Sequence, residues 1–300
     1  MYQRARKEGA VKRIQLLKSL FKGNPAQSIA ELPKLHFGAF NIIPDVQQVA
    51  AFNQVVAWQN ADFLPPTWLQ VSAFSGYLNL LSDPAFPFSP LGLVHVANQI
   101  TVFKPLPVTE QYQLNCTLGN YQAHNKGVLF EIQLEVKIAG ERVYQGKATN
   151  LAITKHSNKT PETESTTSGQ LTSLGLLTPS GQSTSLNSSE LANWNLASDV
   201  GRRYARVSGD YNPIHLYPLM AKLFGFRRHI AHGMYLKASA LSKLLEDREA
   251  SPCSAQITFR KPVFLPARLS LLAAELAVGR HDFELTHNGQ LHAFGCVSRL

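Results

Sequence analysis

The stretch SGDYNPIH, from Ser208 to His215, places a carboxylate, an amide and an imidazole within six positions. A carboxylate and an imidazole that reach one spot can take a proton from one atom and give one to another, the requirement of general acid/base chemistry. Asn212 is a good helix N-cap and Pro213 a good first helical residue, so Asp210 falls on a turn and His215 in the first turn of a short helix that Pro218 soon interrupts. In that arrangement Asp210 and His215 converge, whereas on one continuous helix they would point apart. The same residues also make ordinary turn and capping chemistry, and this short stretch alone leaves both readings open.

A second stretch, HIAHGM, ends on His232, Gly233 and Met234. Met234, Ala238, Leu241 and Leu245 recur at helical spacing, so His232 and Gly233 stand at a helix start, where backbone N–H groups lack acceptors and the dipole is positive. Such an end can hold a developing oxyanion. Equally, Gly233 is the residue that lets a helix start pack closely. Arg227, Arg228, Arg260 and Lys261 flank these stretches and are candidates for phosphate contacts, although exposed cations are commonly just solvated.

The elements that must position these residues repeat. QITVFKPLP begins at Gln99 and QITFRKPVF at Gln256, with five of nine positions identical. Each copy leads into strand-like alternation: EQYQLNCTLGNY, GVLFEIQLEVKI and RVYQGKATNLAI in the first half, ARLSLLAAELAVG, HDFELTHNG and QLHAFGCVSRL in the second. Asn288-Gly289 is a hairpin turn. A helix precedes each set of strands. In the first half Trp68, Val71, Phe74, Leu78 and Leu81 form its apolar stripe after Pro65-Pro66. A helix packed on an antiparallel sheet, twice over, predicts an α+β chain whose two halves join as a pseudo-dimer. Between them, residues 155–190 are dense in Ser and Thr and read as a linker. The expected organisation is a basic segment at 1–30, an N-terminal unit at 31–154, the linker at 155–190 and a C-terminal unit at 191–300.

The run from Tyr204 through SGDYNPIH, followed by IAHGM, resembles the MaoC-like family of type 2 (R)-specific enoyl-CoA hydratases and 3-hydroxyacyl dehydratases. With the repeat, it is similar to members in which two hot dog folds are fused. The resemblance implies (R)-specific addition of water to trans-2-enoyl thioesters and the reverse elimination. It implies that Asp210 and His215 are the catalytic pair, that Asn212 helps fix the site and its water, and that Gly233 offers its N–H to the thioester oxygen. His232, Met234, Arg227, Arg228 and Lys261 are then the candidates for holding the substrate. The N-terminal half has VVAWQNADFLPPTW ahead of its helix and no Asp-x-Asn-Pro-x-His, which predicts a single, C-terminal active site with a non-catalytic partner that shapes the acyl pocket. A hot dog thioesterase and a non-catalytic acyl-CoA or acyl-carrier binding protein are the alternatives; the complete Asp210, Asn212 and His215 set disfavours both.

Composition narrows the partners. In 300 residues, 29 Lys and Arg against 20 Asp and Glu give a formal charge of +9, which suits an anionic partner. The cations are scattered and accompany no nucleic-acid module, so CoA phosphates or an acidic acyl carrier protein fit better than nucleic acid. No apolar run reaches the roughly 18 to 20 residues of a membrane helix, and no dinucleotide Gly-rich turn appears, so neither membrane insertion nor an organic cofactor is expected. Cys116, Cys253 and Cys296 are odd in number and lack metal-ligand spacing, which predicts no zinc or disulfide and a reducing, cytoplasmic setting. The first 22 residues carry Ile14, Leu17, Leu20 and Phe21 among Lys and Arg and read as a surface helix, with membrane-surface contact as one alternative and an organellar transit peptide, disfavoured by Glu8, as a weaker one. A homodimer is left open.

Overall fold

The computed structural model describes residues 29, 32–90, 92–153, 188–245 and 251–300. The basic helix expected near the N-terminus and most of the expected linker lie outside the described residues. The remainder forms ten strands: β1 (Leu35–Ile42), β2 (Leu93–Val102), β3 (Tyr112–His124), β4 (Gly127–Ile138), β5 (Glu141–Ile153), β6 (Ser189–Leu196), β7 (Cys253–Phe259), β8 (Ala267–Ala277), β9 (Arg280–His287) and β10 (Gln290–Arg299). The helices are α1 (Val46–Val56), α2 (Trp68–Ser72), α3 (Phe74–Ser82), α4 (Val200–Ser208), α5 (Pro218–Leu223) and α6 (Gly233–Leu244). Strand β6 begins at Ser189, inside the stretch expected as linker, so the boundary expected at residue 191 falls within a strand.

All ten strands share one antiparallel sheet in the order β1-β3-β4-β5-β2-β7-β10-β9-β8-β6. The order is palindromic. Reading outward from the β2–β7 seam, each half shows the same succession, and at the seam Gln99 pairs with Gln256, the first residues of the two repeated motifs. The repeat therefore pairs with itself about a pseudo-twofold axis, the self-complementary contact of a dimer made within one chain. This is the α+β, double hot dog arrangement implied by the sequence. At the β9–β10 hairpin, Asn288 and Gly289 take φ of 50° and 71°, the left-handed pair that a two-residue turn of this type needs.

Alternation along the strands sends Ile132, Leu134 and Val136 of β4, and Leu269, Leu271 and Leu285 of β8 and β9, into one buried layer beneath the helices. Helix α6 is nearly surrounded: Leu236, Ala238, Ala240, Leu241 and Leu244 are all buried, as is Lys237. The Lys237 Nζ donates to Asn98 O at 3.2 Å, Asn98 Oδ1 at 2.6 Å and Ala255 O at 3.0 Å. It thus ties the helix to both sides of the seam, since Asn98 lies on β2 and Ala255 on β7. Burial holds its amine well below the usual lysine range. A further tie comes from Ser242 Oγ, which donates to Val56 O at 2.8 Å.

The first-half helix differs from expectation. It divides at Ala73 into α2 and α3, and the fully buried face is Leu69, Ala73, Tyr77 and Leu80, while Val71, Phe74, Leu78 and Leu81 are only half-buried. Two apolar stripes lie side by side on this segment, and spacing alone selects neither. Pro65 and Pro66 precede the Thr67 N-cap rather than opening the helix. Gly76 packs toward Phe40 and Cys116, away from the seam.

A fragment of residues 191–300 would leave the β7 edge unpaired and the seam side of α6 uncovered. An unpaired apolar edge templates association, so the fragment should precipitate or elute from a sizing column as a dimer or larger. A stable monomeric fragment would contradict the fused-pair architecture.

Candidate active site

The residues from Ser208 to His215 fold as their local chemistry dictates. Helix α4 ends at Gly209, whose φ of 75° is the left-handed conformation a helix C-cap favours. The Asp210 Oδ1 then accepts from Asn212 N at 3.1 Å, closing a small turn, and Asn212 Oδ1 accepts from Ile214 N at 3.3 Å. Asn212 thus caps a single 3-10 turn, Pro213–His215, with Pro213 at its start. That turn lifts His215 back over Asp210 and His232: one ligand-type atom from each of the three lies within 4.8 Å of the others.

Backbone carbonyls set the tautomers. The His215 Nδ1 is 2.9 Å from Ile230 O, an acceptor, so Nδ1 carries the hydrogen and Nε2 keeps the lone pair of a base. The His232 Nε2 is 3.0 Å from the Asp210 backbone oxygen and donates to it, while the Asp210 carboxylate lies 3.9 Å away. His232 Nδ1 is buried with no hydrogen-bond partner. The two rings stack with centroids 3.8 Å apart and planes 26° from parallel. In that stack the in-plane lone pairs run side by side rather than converging, so the trio fits proton handling better than metal coordination.

Burial pushes the His215 imidazole below the ordinary value of 6.5, opposed by the nearby Asp210 charge. His232 is pushed further down by burial and by His215. Beneath them Tyr204 presents its ring 5.0 Å from His232, with a buried hydroxyl that has no partner. On the far side Gly201 is required: a Cβ there would overlap the His215 carbonyl oxygen.

Gly233 is the first residue of α6, so its N–H has no acceptor within the helix. The Phe259 ring covers it, 2.8 Å from where a Cβ would sit. The close packing read from the sequence is seen here, and the position at the helix start leaves the N–H without a partner inside the helix. A proline at this position would remove the N–H and also collide with Phe259, so that substitution tests two things at once. Met234 is half-buried against the core. Arg227 lies over the Phe264 ring at 4.3 Å, and Ile230 bridges to Phe264, which brings the Arg227–Ala231 strip beside the loop after Lys261. Arg228, Arg260 and Lys261 are exposed nearby, Arg260 and Lys261 held by their N–H groups to His292 O.

Sequence reasoning missed His95. This residue, on β2 in the half without the Asp-x-Asn-Pro-x-His motif, packs its ring 5.4 Å from Phe259, and its Nε2 is buried without a partner. Burial and the Lys237 charge hold it down at about 4, with Asp210 near enough to oppose them. Only the seam pairing brings it there; its two-residue neighbourhood carries no local signal. Lys237 was missed because it lies off the Met234, Ala238, Leu241 and Leu245 stripe, and a lysine gives no sign in the sequence that it will be buried.

Comparison with known proteins gives the chain's relatives. Residues 184–290 match the family model of the MaoC-like domain. The chain is 31% identical over 231 residues to 3-hydroxyacyl-thioester dehydratase X of Mycobacterium tuberculosis, covering 77% of each. It is 24% identical over 197 residues to a peroxisomal enoyl-CoA hydratase 2 of Arabidopsis thaliana, covering 60% of this chain and 58% of that one. A crystal structure of HtdX from Mycobacterium tuberculosis superposes with a TM-score of 0.72 at 27% identity, covering 89% of this chain and all of the other. A MaoC-like dehydratase from Phytophthora capsici, at 15% identity and a TM-score of 0.69 over 91% of this chain and 97% of that one, shares the fold.

Two outcomes follow from the geometry. Gly201→Ala should cost about 3 kcal/mol of stability, because the overlap is with backbone that cannot rotate away, and thermal unfolding of the variant measures it. His95, His215 and His232 all have folded values below 6.5, so they contribute stability that is fully present above about 6.5. For His95 that contribution is lost as the pH falls toward about 4. Denaturant midpoints measured between these limits should fall with pH, and His95→Phe should flatten the decline.

Proposed function

The chain belongs to the MaoC-like dehydratase family, and from that premise we propose that it adds water to trans-2-enoyl thioesters, giving (R)-3-hydroxyacyl thioesters, and catalyses the reverse elimination in fatty acid metabolism. The observation that carries the reading is the fixed tautomer of His215, with Nδ1–H on Ile230 O and the Nε2 lone pair left as the base, on a ring grouped with Asp210 and His232.

Hydration needs a base for the water, a proton for C2 and donors for the enolate oxygen that forms in between. The His215 Nε2 is suited to take the water proton as the water oxygen bonds to C3. Asp210 and His215 between them accept one proton and return one to C2, so the net change is addition of H and OH with nothing oxidised or reduced. The Gly233 N–H, at the positive end of α6, faces the thioester oxygen as charge develops there. Asn212 holds the turn through its bond to Ile214 N and keeps its amide NH2 for water. His232 we assign to positioning, since its Nε2–H holds the Asp210 backbone and its ring supports that of His215. Burial keeps both imidazoles neutral at neutral pH, so the base is ready and the two stacked rings do not repel.

Arg227, Arg228 and Lys261 belong to the proposal as contacts for the anionic end of the substrate, supported by their exposure around the strip that carries His215's orienting carbonyl. A cytoplasmic setting is part of it as well, supported by three separate thiols at Cys116, Cys253 and Cys296. No helix among the described residues is long and apolar enough to cross a membrane.

The test is hydration of crotonyl-CoA, followed as loss of the conjugated enoyl absorbance, with the product's stereochemistry assigned afterwards. Asp210→Asn and His215→Ala should each lower kcat by about 100-fold or more, the usual scale for general acid/base groups, while leaving the unfolding transition near wild type. The acid limb of kcat/KM should lie below 6.5, because His215 must be neutral to accept a proton and burial lowers its value. Activity within a few-fold of wild type in either variant would refute the assignment.

A further inference from the structure

Between the catalytic turn and α6 the chain does something that neither the proposed proton transfers nor the core requires. Helix α5 turns Ala221 inward and presents its larger apolar side chains to solvent: Leu219 is 67% exposed, Leu223 72% and Met220 37%, with Tyr217 just ahead at 52%. Tyr211, inside the catalytic motif itself, is 58% exposed. Single exposed apolar residues are ordinary, but several on one short segment mark a contact surface.

The segment is held in place rather than loose. The Arg202 Nη1 donates to Leu216 O at 2.9 Å and its guanidinium lies 4.9 Å over the Tyr217 ring. At the other end Ile230 N donates to Ile214 O at 3.1 Å, and Arg227 is clamped over Phe264. Its charge has one sign. From Tyr211 to Leu245 there is no Asp or Glu, while Lys222, Arg227 and Arg228 are exposed among the apolar side chains.

We propose that this surface, Tyr217 to Leu223 with Lys222 and the following arginines, docks an acidic acyl carrier protein that presents its thioester to the site. The proposal rests on the thioester reading above and supplies the partner for it. Location argues for a carrier: the patch starts two residues after His215, so what binds there lies at the catalytic turn. Chemistry argues the same way. The nucleotide of CoA is polar and anionic and gains nothing from leucine and methionine, whereas an acidic protein helix offers carboxylates to Lys222 and the arginines and apolar side chains to Leu219, Met220 and Leu223. Apolar anchors ringed by complementary charge are the usual composition of a protein contact.

The experiment compares one acyl group on two carriers: crotonyl-CoA and the crotonyl thioester of a purified acidic acyl carrier protein. The variants are Leu219→Glu, Leu223→Glu and Lys222→Glu, none of which touches the proposed proton-transfer or phosphate contacts. For the carrier-bound substrate kcat/KM should fall about tenfold or more, through KM, and the fall should grow at low salt for Lys222→Glu. With crotonyl-CoA each variant should stay within about twofold, since no interaction with that substrate is removed. Equal losses on both substrates, or none on either, would overturn the proposal. So would patch-dependent sedimentation with phosphatidylglycerol vesicles without a carrier effect, or a shift from dimer to monomer on sizing, which would assign the surface to a membrane or to a second copy. If wild type turned over neither thioester, the hydratase reading would fall and the docking proposal with it; an active CoA arm beside an insensitive carrier arm would sink the docking alone.

Discussion

The antiparallel pairing of β2 with β7 is the constraint on which the rest depends. Because Gln99 meets Gln256, each repeated motif is the other's edge partner, and two five-stranded sheets become one of ten. Pairing here removes the two strand edges that would otherwise be open and apolar. It also creates the ground on which α6 lies, and Lys237 reports how closely the helix is seated, with acceptors taken from both strands. The axial position of α6 in turn sets where Gly233 offers its N–H. The Asp210–His215 turn is thus referenced, through a helix, to a seam that neither half could form alone.

At the site, burial and hydrogen bonding act in the same direction. Removing His215 and His232 from water disfavours their cations, and each ring spends one nitrogen on a backbone carbonyl, at Ile230 or at Asp210. What is left on His215 is one lone pair, on a ring grouped with Asp210. Gly201 matters for the same reason, since the α4 backbone approaches the His215 carbonyl so closely that no side chain fits between them. The geometry is held by backbone atoms, which do not relax when a neighbouring side chain changes.

How much of this was legible in the sequence depended on range. Asn212, Pro213 and Gly233 act within a few residues of themselves, through capping, a fixed φ and a helix start, so the turn, the short helix and the N-terminus of α6 could be read directly. The repeat of Gln99 and Gln256 also announced the pseudo-dimer, since its meaning survives without coordinates. His95 and Lys237 could not be found in that way, and although Tyr204 opens the quoted motif, its place against His232 could not be read there either. Each takes its place only because a strand or helix distant in sequence is packed against it. The stripe chosen for the first-half helix shows the limit of periodicity: Val71, Phe74 and Leu78 repeat as well as Leu69, Ala73 and Leu80 do, and only the sheet decides which set is covered.

Fusion of the halves has a consequence for how such a protein can change. In a dimer of identical chains every substitution arrives twice, and a residue near the axis meets its own copy. Lys237 draws on Asn98 and on Ala255, on either side of that axis, with one amine in the space where a symmetric pair would bring two. Two buried amines so close would compete for the same carbonyl acceptors and leave donors unsatisfied. A single reading frame spanning both halves lifts that restriction, letting one half keep the lysine while the other supplies an acceptor that holds it.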